Sequence, residues 1–147
     1  MPAGIYDIEV DQGSTFRFHV TYYDSSESVV DLTKYTSSME VRRSFESDNL
    51  LLQITGGTVD SGVVGGGSTG YFTGTGGVAG IGGILLNANI SGDPGNTGGI
   101  YISVDHETMK NVPKGRHFYD IEITNLMDNS VTRILKGRFE VDPEVTR

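Results

Sequence analysis

The chain has 147 residues, enough for one domain with a single core. It contains no cysteine, which excludes disulfide frameworks and thiolate metal centres. Its net charge of −8 sets an average field that repels phosphate backbones, so nucleic acid is not expected as a partner.

Met1 to Val10 (MPAGIYDIEV) has no basic n-region and no apolar h-region, so a secretory leader is not expected. No apolar run approaches the roughly 18 residues of a membrane span, so no membrane partner is expected either. The dominant signal is period-two alternation, the mark of half-buried strands. Tyr6, Ile8 and Val10 share one face of a first strand, against Asp7 and Glu9. Asp11-Gln12-Gly13 supplies a turn, and Phe16, Phe18, Val20 and Tyr22 form the apolar face of a second strand. Met39 and Val41 face inward on a third, and Leu50, Leu52 and Ile54 on a fourth. Ile84, Leu86, Ala88 and Ile90 mark a fifth, and Ile100, Ile102 and Val104 a sixth. Asp105 to Asn111 reads as a short helical turn capped by Asp105, with Thr108 and Met109 inside and Pro113 ending it. Tyr119, Ile121 and Ile123 line a seventh strand. Met127-Asp128-Asn129-Ser130 then turns into a last strand from about Val131 to Val141, with Phe139 and Val141 inward. The tetrapeptide YDIE occurs at Tyr6 to Glu9 and again at Tyr119 to Glu122, as expected of two strands in similar sheet environments. About seven to eight short strands with one helical turn predict a single all-β domain over 1–147, an Ig-like antiparallel β-sandwich.

Glycine interrupts this pattern. Seventeen of the 21 glycines lie between Gly56 and Gly99, and Gly65 to Gly83 reads GGGSTGYFTGTGGVAGIGG. Gly65, Gly67 and Gly70 fit G-x-G-x-x-G, and Gly66, Ser68 and Gly70 fit G-x-S-x-G. Both patterns need a strand before and a helix after. YFTGTGG cannot start a helix, because each glycine costs about 1 kcal/mol there. The matches are therefore read as products of glycine density, and no Gly-Lys pair exists for a P-loop. Long structureless loops are uncommon in compact domains, so Gly62 to Gly83 is expected to be a projecting arm or a flexible loop. Tyr71 and Phe72, isolated among glycines, then need burial or a partner. With Val63, Val64, Val78 and Ile81 they are the candidate interface residues.

No catalytic set emerges, and no cofactor is expected. His19, His106 and His117 lack ligand spacing and read as sheet-surface or turn residues. Asp24, Glu27 and Asp31 offer oxygens to calcium but do not fit an EF-hand loop, and read as a solvated loop. Arg42-Arg43 and Arg133, Lys136 and Arg138 read as solvated strand faces. Asn89-Ile90-Ser91 is a glycosylation sequon, expected to be inert without secretion.

Several outer segments carry a resemblance. Ala3 to Asp24 (AGIYDIEVDQGSTFRFHVTYYD), Val29 to Ser44 (VVDLTKYTSSMEVRRS), Gly115 to Thr124 (GRHFYDIEIT) and Val131 to Arg147 (VTRILKGRFEVDPEVTR) resemble small virion proteins of tailed bacteriophages. Their pattern of a Y-D-(I/L)-E-I strand matches at Gly115, Tyr119, Asp120, Ile121, Glu122 and Ile123. A hairpin ending G-x-F-x-V-x-P-E-V matches at Gly137, Phe139, Val141, Pro143, Glu144 and Val145. A D-L-T-x-Y element matches at Asp31, Leu32, Thr33 and Tyr35. The pattern is also similar to the N-terminal β-sandwich of phage upper-baseplate proteins. The resemblance implies a non-enzymatic subunit of the tail or baseplate, made in the bacterial cytoplasm and located in the virion. It would pack against other virion proteins and copies of itself. It leaves out 56–99, which stands as a glycine-rich insertion where that family has a short link. Two other roles fit the residues: a capsid decoration protein, and a module binding host glycans through Tyr22, Tyr23 and Tyr101.

Overall fold

The structure, a computed structural model, describes residues 4–46, 49–58, 68–72 and 77–143. In chain order the strands are β1 (Gly4–Ile5), β2 (Ile8–Asp11), β3 (Phe16–Thr21), β4 (Tyr35–Arg42), β5 (Leu50–Thr58), β6 (Ser68–Phe72), β7 (Gly77–Gly80), β8 (Gly82–Leu86) and β9 (Gly99–Val104). A single helical turn follows, α1 (His106–Met109), then β10 (Gly115–Asn125) and β11 (Val131–Asp142). All eleven strands belong to one sheet, ordered β1-β11-β10-β4-β5-β8-β9-β3, with β2 also on β11 and the β6–β7 pair branching from β5. The sheet curls on itself. Phe16 on β3 meets Phe139 on β11 edge-on at 5.5 Å, so the two ends of the strand path face each other across the core.

The all-β architecture stands, with more strands than the alternation predicts and with mixed rather than purely antiparallel pairing. β1 and β2 run parallel to β11, and β5 runs parallel to β8. The added strands have two sources. The first expected strand is split, and the glycine tract contributes β6 and β7.

The period-two faces hold through the centre. Met39, Val41, Leu52, Ile54, Ile84, Leu86, Ile100, Ile102 and Val104 are buried, as are Tyr119, Ile121, Ile123, Phe139 and Val141. Three positions depart from the expected pattern. Leu51 is buried beside Leu52, because a bulge opposite Val41 and Arg42 inserts it as an extra residue. Ile90 is exposed, because β8 ends at Leu86 and Asn87 turns the chain in the left-handed region at φ 58°. Tyr6 is exposed rather than buried with Ile8, so the two YDIE copies differ in burial at their first residue. Tyr119, the matching residue of the second copy, is buried, and its hydroxyl donates to the Tyr6 carbonyl at 2.6 Å. Burial first, then Asp7 and Tyr6, push that phenol's pKa upward, which keeps it protonated and able to donate.

Two glycines permit the curl. At Gly56 a side chain would overlap the Ile84 backbone, where β5 takes β8 as its parallel partner. At Gly137 a side chain would overlap the Tyr6 carbonyl, where the N-terminal segment crosses β11. The ladder continues through that crossing. Tyr6 N–H donates to the Lys136 carbonyl at 2.9 Å, and the Asp7 carboxylate accepts from the Arg138 N–H at 3.0 Å. The helical turn forms as expected. Asp105 caps it by accepting from the Glu107 N–H, and Thr108 and Met109 are buried.

Gly56→Ala is expected to lose more than about 2 kcal/mol of stability in urea unfolding, since backbone must move to admit the methyl. Gly57→Ala, whose nearest neighbours lie in ordinary contact range, should stay within about 0.5 kcal/mol of the parent. Tyr119→Phe leaves the Tyr6 carbonyl without its donor and should cost about 1 kcal/mol, read as a lower urea midpoint at unchanged slope.

Candidate interaction surface

Half of the glycine tract is sheet, not a free arm. β6 pairs antiparallel with β5, placing Tyr71 opposite Leu52 and Thr69 opposite Ile54. β7 then pairs antiparallel with β6, with Val78 opposite Tyr71 and Gly77 opposite Phe72. Strand alternation sends Thr69 and Tyr71 inward: Thr69 is buried and Tyr71 packs on the core cluster. Phe72 points to the other face and lies across Gly77, so closely that any side chain there would overlap the ring. The two aromatics thus find cover within the chain, Tyr71 on the core and Phe72 on glycine.

The exposed members of the candidate set are Val78, at 47%, and Ile81, at 67%. The Ile81 backbone is fixed while its side chain is left outside. Its N–H donates to the Thr108 hydroxyl at 2.9 Å, and its carbonyl accepts from the Asp105 N–H at 2.9 Å. Gly80 rests directly against Thr108. The hairpin is therefore clamped to α1 at its exit. Val63 and Val64 lie outside the described residues. Among the described residues β7 is paired with β6 alone, and its sequence GVAG carries no charge, no proline and no bulky polar group. Edge strands of folded proteins ordinarily carry such groups to discourage pairing with another chain.

A second surface is the outer face of β4, β10 and β11. A groove of about 470 Å³ there is lined by Glu40, Arg42, Phe45, Phe118, Asp120, Arg133 and Lys136, among others. Phe45 and Phe118 stack at 4.8 Å in a tilted pair. Arg42 binds Glu40 at 3.0 Å and Arg133 binds Asp120 at 3.2 Å. Partial burial raises the pKa of Asp120; Arg133 opposes this and Glu40 adds to it. Glu122 is raised too, first by burial and then by Asp120. The basic residues of this face do lie on solvated, ion-paired strands. The aromatic pair was not legible in the sequence, because Phe45 follows β4 in a bend where no period applies.

The remaining sequence candidates are dispersed. Ser68 and Gly70 sit within β6, and no helix follows that strand as the nucleotide or nucleophile pattern would need. His19 bonds the Ala88 carbonyl at 2.9 Å, and His106 is exposed between Asp105 and Glu107. His117 is 2% exposed rather than on the sheet surface. Strand alternation turns it inward, and its Nε2 bonds the Pro113 carbonyl at 2.7 Å. Asp24 accepts from the Ser26 and Ser28 N–H groups, closing its own loop. Asp31 accepts from Thr33 and from the Asn87 amide at 2.9 Å. Asn87 in turn accepts from the Leu32 and Gly98 N–H groups, so these side chains tie two loops together. Among the described residues no group of three or more acidic or histidine side chains could hold a metal. Tyr22 packs toward the core, whereas Tyr101 lies on the opposite face over Gly92, so these two do not share a platform; Tyr23 is exposed. No helix among the described residues is long and apolar enough to cross a membrane. No protein-family model matches the sequence, and no curated protein matches it.

Hydrogen bonds from Thr33 and then Asn87 hold the Asp31 carboxyl below the ordinary carboxylate range. A lowered folded-state pKa gives stability that is present above the unfolded value, about 3.9, and is lost as pH falls through the folded value. Asp31→Ala should therefore lower the urea midpoint at pH 7, by under about 1 kcal/mol because the group is exposed. The gap to the parent should narrow as the pH is taken below 4.

Proposed function

We propose that the chain is a non-catalytic structural subunit of a tailed-phage particle, in its tail or baseplate, that works by packing against neighbouring virion proteins. The observation that carries this reading is the β6–β7 hairpin. It ends in an uncharged strand that carries exposed Val78 and is followed by exposed Ile81. A solitary protein gains nothing from such an edge, whereas a repeated subunit can extend its sheet into a neighbour or bury the two side chains against one. The resemblance of Tyr119 to Ile123 and Gly137 to Val145 to virion proteins supports the same assignment, and the all-β fold is consistent with it.

Val78→Lys with Ile81→Lys places two charges on the exposed positions without truncating Tyr71 or Phe72. Incorporation into particles should fall by roughly ten-fold or more, while the urea midpoint of the isolated protein stays within about 0.5 kcal/mol. Unimpaired incorporation, scored by electron microscopy of particles at the position of this chain, would remove the hairpin from the interface. A copy number tracking the capsid subunits would move the protein from the tail to the head surface.

A further inference from the structure

The curl of the sheet leaves a seam that no strand among the described residues fills. β2 and β3 are consecutive, joined by the turn Gln12 to Thr15, yet they do not pair with each other. Among the described residues β2 has a neighbour on the β11 side alone, and β3 on the β9 side alone. Their other edges face one groove of about 380 Å³, lined by residues of Tyr6 to Asp11 and Ser14 to Phe18. The turn borders one end. Tyr6 and Phe18, with ring centroids 5.7 Å apart, border the other.

The walls alternate as a strand-binding slot requires. Ile8 and Phe16 are buried at its floor, with Val10 and Phe18 half-buried beside them. Glu9 and Asp11 point outward along the rim. Their ladder partners on β11 carry the same sign. Glu9 stands opposite Glu140, and Asp11 opposite Asp142. Like charges directly opposite across a ladder are destabilising, and the cation registered beside them is Arg116, opposite Glu140. Asp7 is already engaged by Arg138 at 3.7 Å, and Arg17 lies across the groove. Neither Glu9 nor Asp11 has an ionic partner among the described residues.

We infer that this seam is a docking slot for an extended basic segment of a different protein, which pairs with the free edge of β2 by main-chain hydrogen bonds. Its alternate apolar side chains meet Ile8 and Val10, and its lysines or arginines on the other face neutralise Glu9, Asp11 and their partners on β11. The period of two makes both requirements compatible in a single strand. A second copy of this chain is not the occupant we infer: its net charge is −8, and its most cation-rich strand, β11, is already paired with β10 on one side and with β1 and β2 on the other. The slot is separate from the β7 edge, so it stands or falls independently of the proposed function.

The probe is a capped peptide of six alternating lysines and valines bearing a fluorophore, added to the full chain. Anisotropy should report saturable binding, and amide exchange should slow at Ile8 to Asp11. Binding should weaken by roughly ten-fold or more in Glu9→Lys with Asp11→Lys. Both variant side chains are exposed, so the urea midpoint should be kept or raised. Two analogues, N-methylated at every valine or at every lysine, separate ladder pairing from charge attraction. One should lose binding and the other should keep it. Four results would overturn the inference: no binding, equal binding to the charge-reversed variant, equal binding of both methylated analogues, or a concentration-dependent dimer of the chain alone that the variant abolishes.

Discussion

The structure depends on the change of partner that β5 makes at Gly56. Up to Thr55 the strand is antiparallel to β6, and from Gly56 to Thr58 it is parallel to β8. From Leu50 to Gly57 its other edge is held by β4, with one bulge. The strand is therefore the hinge on which one half of the curled sheet is joined to the other, and the Ile84 backbone comes so close that no side chain fits. The branching also decides where the glycine hairpin goes. With β8 occupying the main path, β6 and β7 are set to one side, and among the described residues β7 pairs with β6 alone.

That geometry gives the free edges different chemistries. β7 is smooth and uncharged, suited to a partner that contributes backbone and small apolar side chains. β2 is acidic along its rim and apolar at its floor, suited to a cationic strand. As proposed interfaces the two edges are separable, one governed by shape and the other by charge. Salt acts on the second far more than on the first, because screening weakens exposed charges and leaves apolar burial nearly untouched.

The central core was legible because alternation is a local signal. Ile100, Ile102 and Val104, or Tyr119, Ile121 and Ile123, declare their face within five residues, and the structure buries them all. What escaped the sequence has a physical reason in each case. β6 and β7 are built largely from glycine and other small residues, which have weak intrinsic strand preference, so their pairing is imposed by β5 rather than by their own composition. Parallel pairing of β1 and β2 with β11 joins the two ends of the chain and leaves no local mark. The Glu9–Glu140 and Asp11–Asp142 juxtapositions exist in that register alone, which alternation within one strand cannot supply. Tyr71 and Phe72 drew attention as lone aromatics, but the exposure falls instead on Val78 and Ile81. Burial of His117 follows from its phase on β10, which the period contained but a surface reading of histidine overrode.

The parallel register of β1 and β2 along β11 also determines how the domain answers a mechanical load. The two strands point the same way, so tension between the ends of the described chain pulls the start of β1 and the finish of β11 in opposite directions along the ladder. The hydrogen bonds from Gly4 to Asp11 are then loaded together, in shear, with Asp7 bridging the interval between the two strands. A hairpin pulled from its open end yields one bond at a time. Here the ladder must slip as a whole, and the crossing at Gly137 acts as a clamp under stretching force.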